Sequence, residues 1–419
     1  MKTRILRALS ERAFVNLWSG ELFTQIAGNL FNFFLILVVY KLTHSNTAVS
    51  GVVLSFTVPA IFFGTLAGAL VDRWDKKKVM IISNLLRSVL LILLAFSLNN
   101  LLVIYVISLL ITILAQFFIP AESTMLPLTV SKENLLSANA LFGTGLFGSI
   151  LVAYVASGPL IIFAGMINTL YVLAAAFIFG AILISMVKVK PEKNVVEKKE
   201  PTFSFIKEIK STFALISKTK AIFHSLFLLS LSQIIILILA TIAPGYASQV
   251  LGLRIEDFPL TFVAPAAVGM VFGAVILVNF FHNHPKEKVI TGGIIMSGLA
   301  MLSLPFGSKV ASHQFVQTMN FYLPHFFNLS ILHIMAVIAF ILGAANSLVF
   351  VPANTIIQEK TTEKFRGKIY GFINTIIGAL SLLPIILVGG LSDLIGVSNV
   401  IIGIGIIILL LGISRSLKN

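Results

Sequence analysis

The stretch Gly68-Ala69-Leu70-Val71-Asp72-Arg73-Trp74-Asp75-Lys76-Lys77-Lys78 concentrates charge in a chain that carries little of it. It joins two apolar runs, 49–71 and 78–98. Each is long enough to pass the roughly 18–20 residues a helix needs to cross about 30 Å of hydrocarbon. Positive charge gathers on the cytoplasmic side of membrane proteins, so this loop is read as an inner one. The same bias runs along the whole chain. Of 30 Lys and Arg residues, only Lys41, Arg254 and Lys309 fall at the opposite side of the alternating runs, and only Arg87 falls within one.

Composition agrees with that reading. Apolar residues make up 58% of the chain and charged residues 11%, too few charges to cover a soluble domain of 419 residues. Barrel strands alternate in polarity over about ten residues, whereas these runs are unbroken and so predict helices. The net charge of +14 is spread over seven loops and tails, which suits anionic lipid headgroups rather than nucleic acid. There is no cysteine, hence no disulfide and no thiolate metal site. Residues 2–12 are basic and lead into an apolar run without a small-residue cleavage site, which predicts an uncleaved cytoplasmic N-terminus.

The runs predict an all-α integral membrane protein with twelve transmembrane helices. The spans are 13–41, 49–71, 78–98, 101–119, 138–164, 167–187, 221–250, 260–281, 288–307, 330–352, 368–390 and 397–415. The loops at 72–77, 120–137, 188–220, 282–287 and 353–367 and both tails are inner, and 42–48 and 99–100 are outer. The long polar stretch divides the chain into a six-helix half at 1–187, a cytoplasmic linker at 188–220 and a second half at 221–419. Within the linker, Phe205, Ile206, Ile209, Phe213 and Ile216 recur at helical spacing among lysines, which predicts an amphipathic helix on the inner membrane surface. The halves echo each other. Phe118-Ile119-Pro120-Ala121-Glu122 ends span 4 and Phe350-Val351-Pro352-Ala353-Asn354 ends span 10, equivalent places in two pseudo-symmetric halves.

The quoted loop resembles the signature of the major facilitator superfamily: Gly68, three residues, Asp72-Arg73, then a basic cluster that includes Lys76. The likeness extends over essentially the whole chain. Leu17-Trp18-Ser19-Gly20, Ser83-Asn84-Leu85-Leu86-Arg87 and Gln358-Glu359 followed by Arg366-Gly367-Lys368-Ile369-Tyr370-Gly371 are similar to its macrolide-efflux and siderophore-exporter branch. That branch often has Asp where Asn29 and Asn84 stand here, and many members of the superfamily have glycine at Asp75. The resemblance implies alternating access, a cavity lined by spans 1, 4, 7 and 10, and a cytoplasmic latch between Asp72 and the start of span 11, where Arg366 and Lys368 lie. Asp72 sits at the negative end of span 2, so it needs such a positive partner.

Polar groups in spans are costly and face a cavity or a partner helix. On span 1, Glu21, Gln25, Asn29 and Asn32 fall within an arc of about 80° at 100° per residue. Ser108, Thr112 and Gln116 on span 4 share a face, as do Tyr370 and Asn374 on span 11. These residues are the candidate substrate cavity. Glu21 and Arg87 lie at similar depth, roughly 12 Å from the inner ends of their spans. With Glu122 they form a candidate embedded charge pair that is either structural or carries a proton. Asp393, near the outer end of span 11, is read as a loop residue. The histidines make no metal set, and the outer segment 308–330 has no assigned role.

These features predict a secondary active transporter that exports an apolar or amphiphilic small molecule, drug-like, macrolide-like or siderophore-like, driven by protons. No GxxxxGK[ST] phosphate loop occurs, so nucleotide is not the power source. No cofactor or metal is expected, and the chain is read as a monomer in a prokaryotic plasma membrane. Two alternatives stay open. One is a lysophospholipid or lipid transporter of the same fold. The other is a membrane-embedded transferase, whose only candidate acid pair, Asp72 and Asp75, is surrounded by cations.

Overall fold

The structure, a computed structural model, describes residues 8–71, 73–188, 220–281, 284–305, 316–321, 330–361 and 363–417, and of 363–374 the backbone alone. Asp72, the amphipathic stretch of the linker and most of segment 308–330 lie outside the described residues. So do the side chains of Arg366, Lys368, Tyr370 and Asn374.

A backbone without water must bond to itself, and the apolar runs do so as helices. Helices occupy each expected span. They are Arg12–Thr43, Asn46–Val71, Lys76–Phe96 and Leu101–Met125 for spans 1 to 4. Spans 5 and 6 form one helical stretch, Leu135–Ser185, broken at Gly165. Its φ of 78° reverses the chain in a single residue, which glycine alone does without strain. Span 7 is Lys220–Gly245 and runs on as a wide turn, Tyr246–Val250. Span 8 contains Ala264–Phe280, span 9 is Lys286–Ser303 and span 10 is Ile331–Lys360. Glu363–Ile395 and Val397–Ser416 are spans 11 and 12. Among the described residues, ten segments are long and apolar enough to cross a membrane, and one of them, Ser137–Ser185, covers two spans. Span 9 is not among the ten, because its 18 residues begin with the charged Lys286, Glu287 and Lys288. The arrangement is consistent with twelve.

Three features correct the sequence reading. Spans 4 and 10 do not end at Pro120 and Pro352 but continue to Met125 and Lys360. Proline inside a helix removes one backbone donor, and hydroxyls can compensate nearby carbonyls. The carbonyls that lose a donor are those of Gln116 and Leu348, while Ser123 and Thr124 donate to the Pro120 carbonyl and Thr355 to that of Val351. Asp393 lies within a helix rather than a loop. The helix stops only at Gly396, whose φ is 86°. Asp75 also has a local explanation. It caps span 3, accepting a 3.0 Å hydrogen bond from the Lys78 N–H, as Asn100 caps span 4.

The chain forms two compact units, Met1–Leu35 with Leu54–Ala214, and Ile36–Val53 with Leu215–Asn419. In the first, span 3 packs against span 4 and the Leu135–Ser185 stretch. The Trp18 indole donates to the Leu141 carbonyl and ties span 1 to span 5. At the basic end Lys77 donates to the Val187 carbonyl. Glu11 there accepts from Asn134 and from Ser131, and these donors, the Asn134 amide foremost, hold its carboxyl below the usual range. In the second unit, span 10 packs on spans 7, 8 and 9, span 12 on span 9, and span 11 on span 7.

Spans 8 and 10 approach backbone to backbone. A Cβ at Gly269 would lie 2.0 Å from the Phe340 carbonyl oxygen, and one at Gly343 would lie 1.8 Å from that of Ala266. Small residues permit this approach, which replaces the missing hydrophobic drive between helices in lipid. Gly269→Ala is therefore expected to force the helices apart, and overpacking of this kind costs about 1–3 kcal/mol. Thermal unfolding in detergent should show a lower Tm for Gly269→Ala than for Gly403→Ala, a site with nothing within 4 Å. Equal Tm values for the two variants would refute the close approach.

Candidate functional site

The polar stripe of span 1 lies inside the first unit and divides by depth. Gln25, Asn29 and Asn32 line a cavity of about 120 Å³ together with Thr24 and Gly28 of the same helix. Span 4 contributes Thr112, Ile111, Ala115, Phe118 and Ile119, span 3 contributes Arg87, and span 6 contributes Phe177. One wall is thus amide and the opposite wall apolar. Gly28 opens onto free space, since a Cβ there would meet nothing within 4 Å. Asn29 also reaches Ser149 of span 5, at 3.4 Å.

Next to the cavity lies a cluster of charge. Arg87 is only 4% exposed, and its guanidinium sits 5.1 Å from the Phe118 ring centroid and 5.4 Å from that of Phe177. Rings at that distance attract a cation through their negative faces. Glu21 and Glu122 are both buried beside one another, and Gln25 adjoins Glu21. Both carboxyls interact electrostatically with Arg87. Two ionised carboxylates against one guanidinium would leave net buried charge, whereas one proton on the pair would make the trio neutral, the state that burial favours. The bonding is incomplete: Oε2 of Glu21 and Nε of Arg87 are buried without hydrogen-bond partners. Gln25, touching Glu21 and lining the cavity, links the charges to that space.

Other sequence candidates are placed differently. Ser108 is fully buried and its hydroxyl donates to the Tyr105 carbonyl. Gln116 faces span 2, with its Oε1 3.6 Å from where a side chain at Gly64 would begin. Asn84 is buried and donates to Thr24 at 2.7 Å, holding span 3 to span 1. Thr24 in turn donates to the Gly20 carbonyl. Gly68 and Arg73 are described without a partner for the loop's acid, because Asp72 lies outside the described residues. No cluster of three or more His, Cys, Asp or Glu suited to a metal occurs among the described residues.

Sequence reasoning missed the aromatic pair around Arg87. With 35 phenylalanines in the chain, nothing in the pattern singles out Phe118 and Phe177. It also missed Asn346 of span 10, which donates to the Ser232 hydroxyl of span 7 at 2.9 Å in the second unit. A lone amide within an apolar run is the signal that could have found it.

The charge trio makes a stability forecast. Arg87→Met leaves two buried carboxyls without a counter-ion, and breaking a buried pair costs about 3–5 kcal/mol. Thermal unfolding of the purified protein should show a large drop for Arg87→Met and partial recovery on adding Glu21→Gln. A double variant no more stable than the single one would mean that the charges do not act together.

Residues 17–319 match the family model described as Major Facilitator Superfamily. Among curated relatives, macrolide efflux protein A of Streptococcus pyogenes is 22% identical over 394 residues, covering 92% of this chain and 91% of that protein. An uncharacterized MFS-type transporter of Bacillus subtilis strain 168, YfiS, is 22% identical over 402 residues, covering 90% and 86%. Among solved structures, the nucleoside transporter NupG aligns with a TM-score of 0.69 at 11% identity, covering 96% of this chain and 98% of that one. A POT family transporter in complex with 5-aminolevulinic acid aligns with a TM-score of 0.72 at 12% identity, covering 97% and 96%. At such identities the structural likeness speaks for the fold alone.

Proposed function

The chain belongs to the major facilitator superfamily, and on that premise we propose that it exports an apolar or amphiphilic small molecule by alternating access, driven by protons. The observation that carries this reading is the cavity of the first unit, with an amide wall on span 1, an apolar wall on span 4 and a paired carboxyl cluster behind Gln25. Amides both donate and accept, so they suit the neutral polar groups of a largely apolar ligand. The name of the Streptococcus pyogenes relative, a macrolide efflux protein, supports a ligand of that kind. A volume of about 120 Å³ is smaller than the roughly 300–1,000 Å³ of a drug-sized site. The cavity therefore holds one functional group of the ligand and not the whole molecule.

Asn29 and Asn84 carry no charge where the resembling branch often has Asp. The proton role falls instead to Glu21 and Glu122. The trio is neutral with one proton, and losing it would leave net charge in a dry site. Release thus requires a change around the pair, such as water or ligand reaching Gln25. We place both termini and the basic loops in the cytoplasm of a prokaryotic plasma membrane, following the distribution of Lys and Arg, and take the monomer as the working unit.

Two experiments test the reading in proteoliposomes holding the purified chain. In the first, a radiolabelled macrolide is followed with and without an imposed pH gradient. Glu122→Gln should abolish gradient-driven accumulation while downhill exchange persists, because the cavity is kept and the shared proton is not. Accumulation equal to that of the unaltered chain would remove Glu122 from proton coupling. In the second, Gly28→Leu places a side chain in open space. It should leave Tm within about 2–4 °C, the shift expected for 1 kcal/mol in a domain of this size, and should block both accumulation and exchange. Unimpaired exchange would mean that the ligand does not enter this cavity.

A further inference from the structure

The outer end of the second unit contains a contact that the transport reading leaves unexplained. Span 2 begins at Asn46, only two residues after span 1 ends at Thr43. The first N–H groups of a helix have no partner within it, and the helix dipole makes that end positive. Such donors are usually capped by the preceding few residues. Here the Ser45 hydroxyl caps the Ala48 N–H locally at 3.2 Å, but the two N–H groups before it are taken from about 347 positions away in the chain. The carboxylate of Asp393, on the last turn of span 11, accepts from the N–H groups of Asn46 at 2.8 Å and Thr47 at 2.9 Å. It also accepts from the Ser45 hydroxyl at 2.7 Å, the Asn46 amide at 2.9 Å and the Thr47 hydroxyl at 2.7 Å.

The surroundings have the build of a closure. Beneath the carboxylate, Asn46 and Val49 are fully buried and Ser50 nearly so. The Ser50 hydroxyl donates to the Ile385 carbonyl of span 11, and a Cβ at Gly389 would lie 1.9 Å from that hydroxyl. Gly245 of span 7 is equally close to Asn46, with 2.3 Å from its would-be Cβ to Oδ1. On the span 1 side, Lys41 pairs with Glu256, and Gln249 donates to the Tyr40 hydroxyl at 3.0 Å. Above this dry floor Asp393 and Thr47 are exposed, so water can take over their hydrogen bonds whenever they separate. A contact of that kind is specific when made and can be opened. The segment it holds, Ile36–Val53, continues on both sides into helix belonging to the first unit. The spacing from Gly389 to Asp393 also repeats that from Gly68 to Asp72, again at the C-terminal end of a span.

We propose that Asp393 is the clasp of an outer gate. It holds the ends of spans 1 and 2 to spans 7 and 11 while the outer side is closed, and it lets go of Ser45, Asn46 and Thr47 each time that side opens. Asp393 is a positioning residue and touches no ligand. The proposal rests on the alternating-access reading, but its test needs no substrate.

The chain has no cysteine, so a single Val49→Cys reporter can be read without background. In proteoliposomes, a membrane-impermeant maleimide should label this buried position slowly when Asp393 is present. Asp393→Asn retains one acceptor and turns an amide towards the donors. Losing charged hydrogen bonds of this class should raise the labelling rate about tenfold or more. Thr47→Ala keeps the carboxylate and the local Ser45 cap and removes one hydroxyl donor to Asp393. It should raise the rate less, and it serves if Asp393→Asn does not fold. Labelling at an unchanged rate in the folded variants would overturn the clasp, even if the protein transports. Faster labelling in a protein that moves no macrolide would uphold the clasp and count against the macrolide reading.

Discussion

Hydrocarbon offers no hydrogen bonds, and this constraint governs every polar atom in the spans. The backbone answers it with helices throughout, even across Pro120 and Pro352. Side chains answer it in three ways. Hydroxyls bond to carbonyls of their own helix, as Thr112 does to Ser108 and Thr241 to Leu237. Amides bridge helices, as Asn84 does to Thr24. The charged groups Glu21, Glu122 and Arg87 gather together, with Arg87 against the rings of Phe118 and Phe177. Among the charged groups, Oε2 of Glu21 and Nε of Arg87 have no hydrogen-bond partner, and Arg87 lines a cavity.

Position relative to the cavity separates the candidate site from structural polarity. Ser108 spends its hydroxyl on its own helix and Asn84 its amide on Thr24 of span 1, and neither lines the cavity. Gln25 instead stands between the carboxyl pair and open space, next to a glycine whose missing side chain helps create that space. A ligand group entering there meets amides first and feels the charges through one of them. On the proposed reading, Gln25 is the side chain through which ligand and proton would be coupled.

The two ends of the chain's first hairpin follow related chemistry. At the basic end, Asp75 caps span 3 from a neighbouring position in sequence. At the other end, Asp393 caps span 2 from the far side of the chain. A local cap is always made once the helix forms. A distant cap depends on where two helices stand, and so can report and control their positions.

The helical class, the order of the spans and the family were legible in the sequence, and the structure is consistent with twelve spans, because apolar length and Lys/Arg placement are local properties that survive any packing. The arc of Gln25, Asn29 and Asn32 was legible for the same reason, since helical period places these residues on one face. The role of Asp393 was not. A lone acid after two glycines reads as the end of a helix, and its donors are more than three hundred residues away. Nor could the sequence choose Phe118 and Phe177 among 35 phenylalanines, or separate Thr112, which lines the cavity, from Ser108, which is buried one turn away. Those distinctions arise only when spans 1, 3, 4 and 6 pack together, because packing decides which face of each helix meets a neighbour and which is left open.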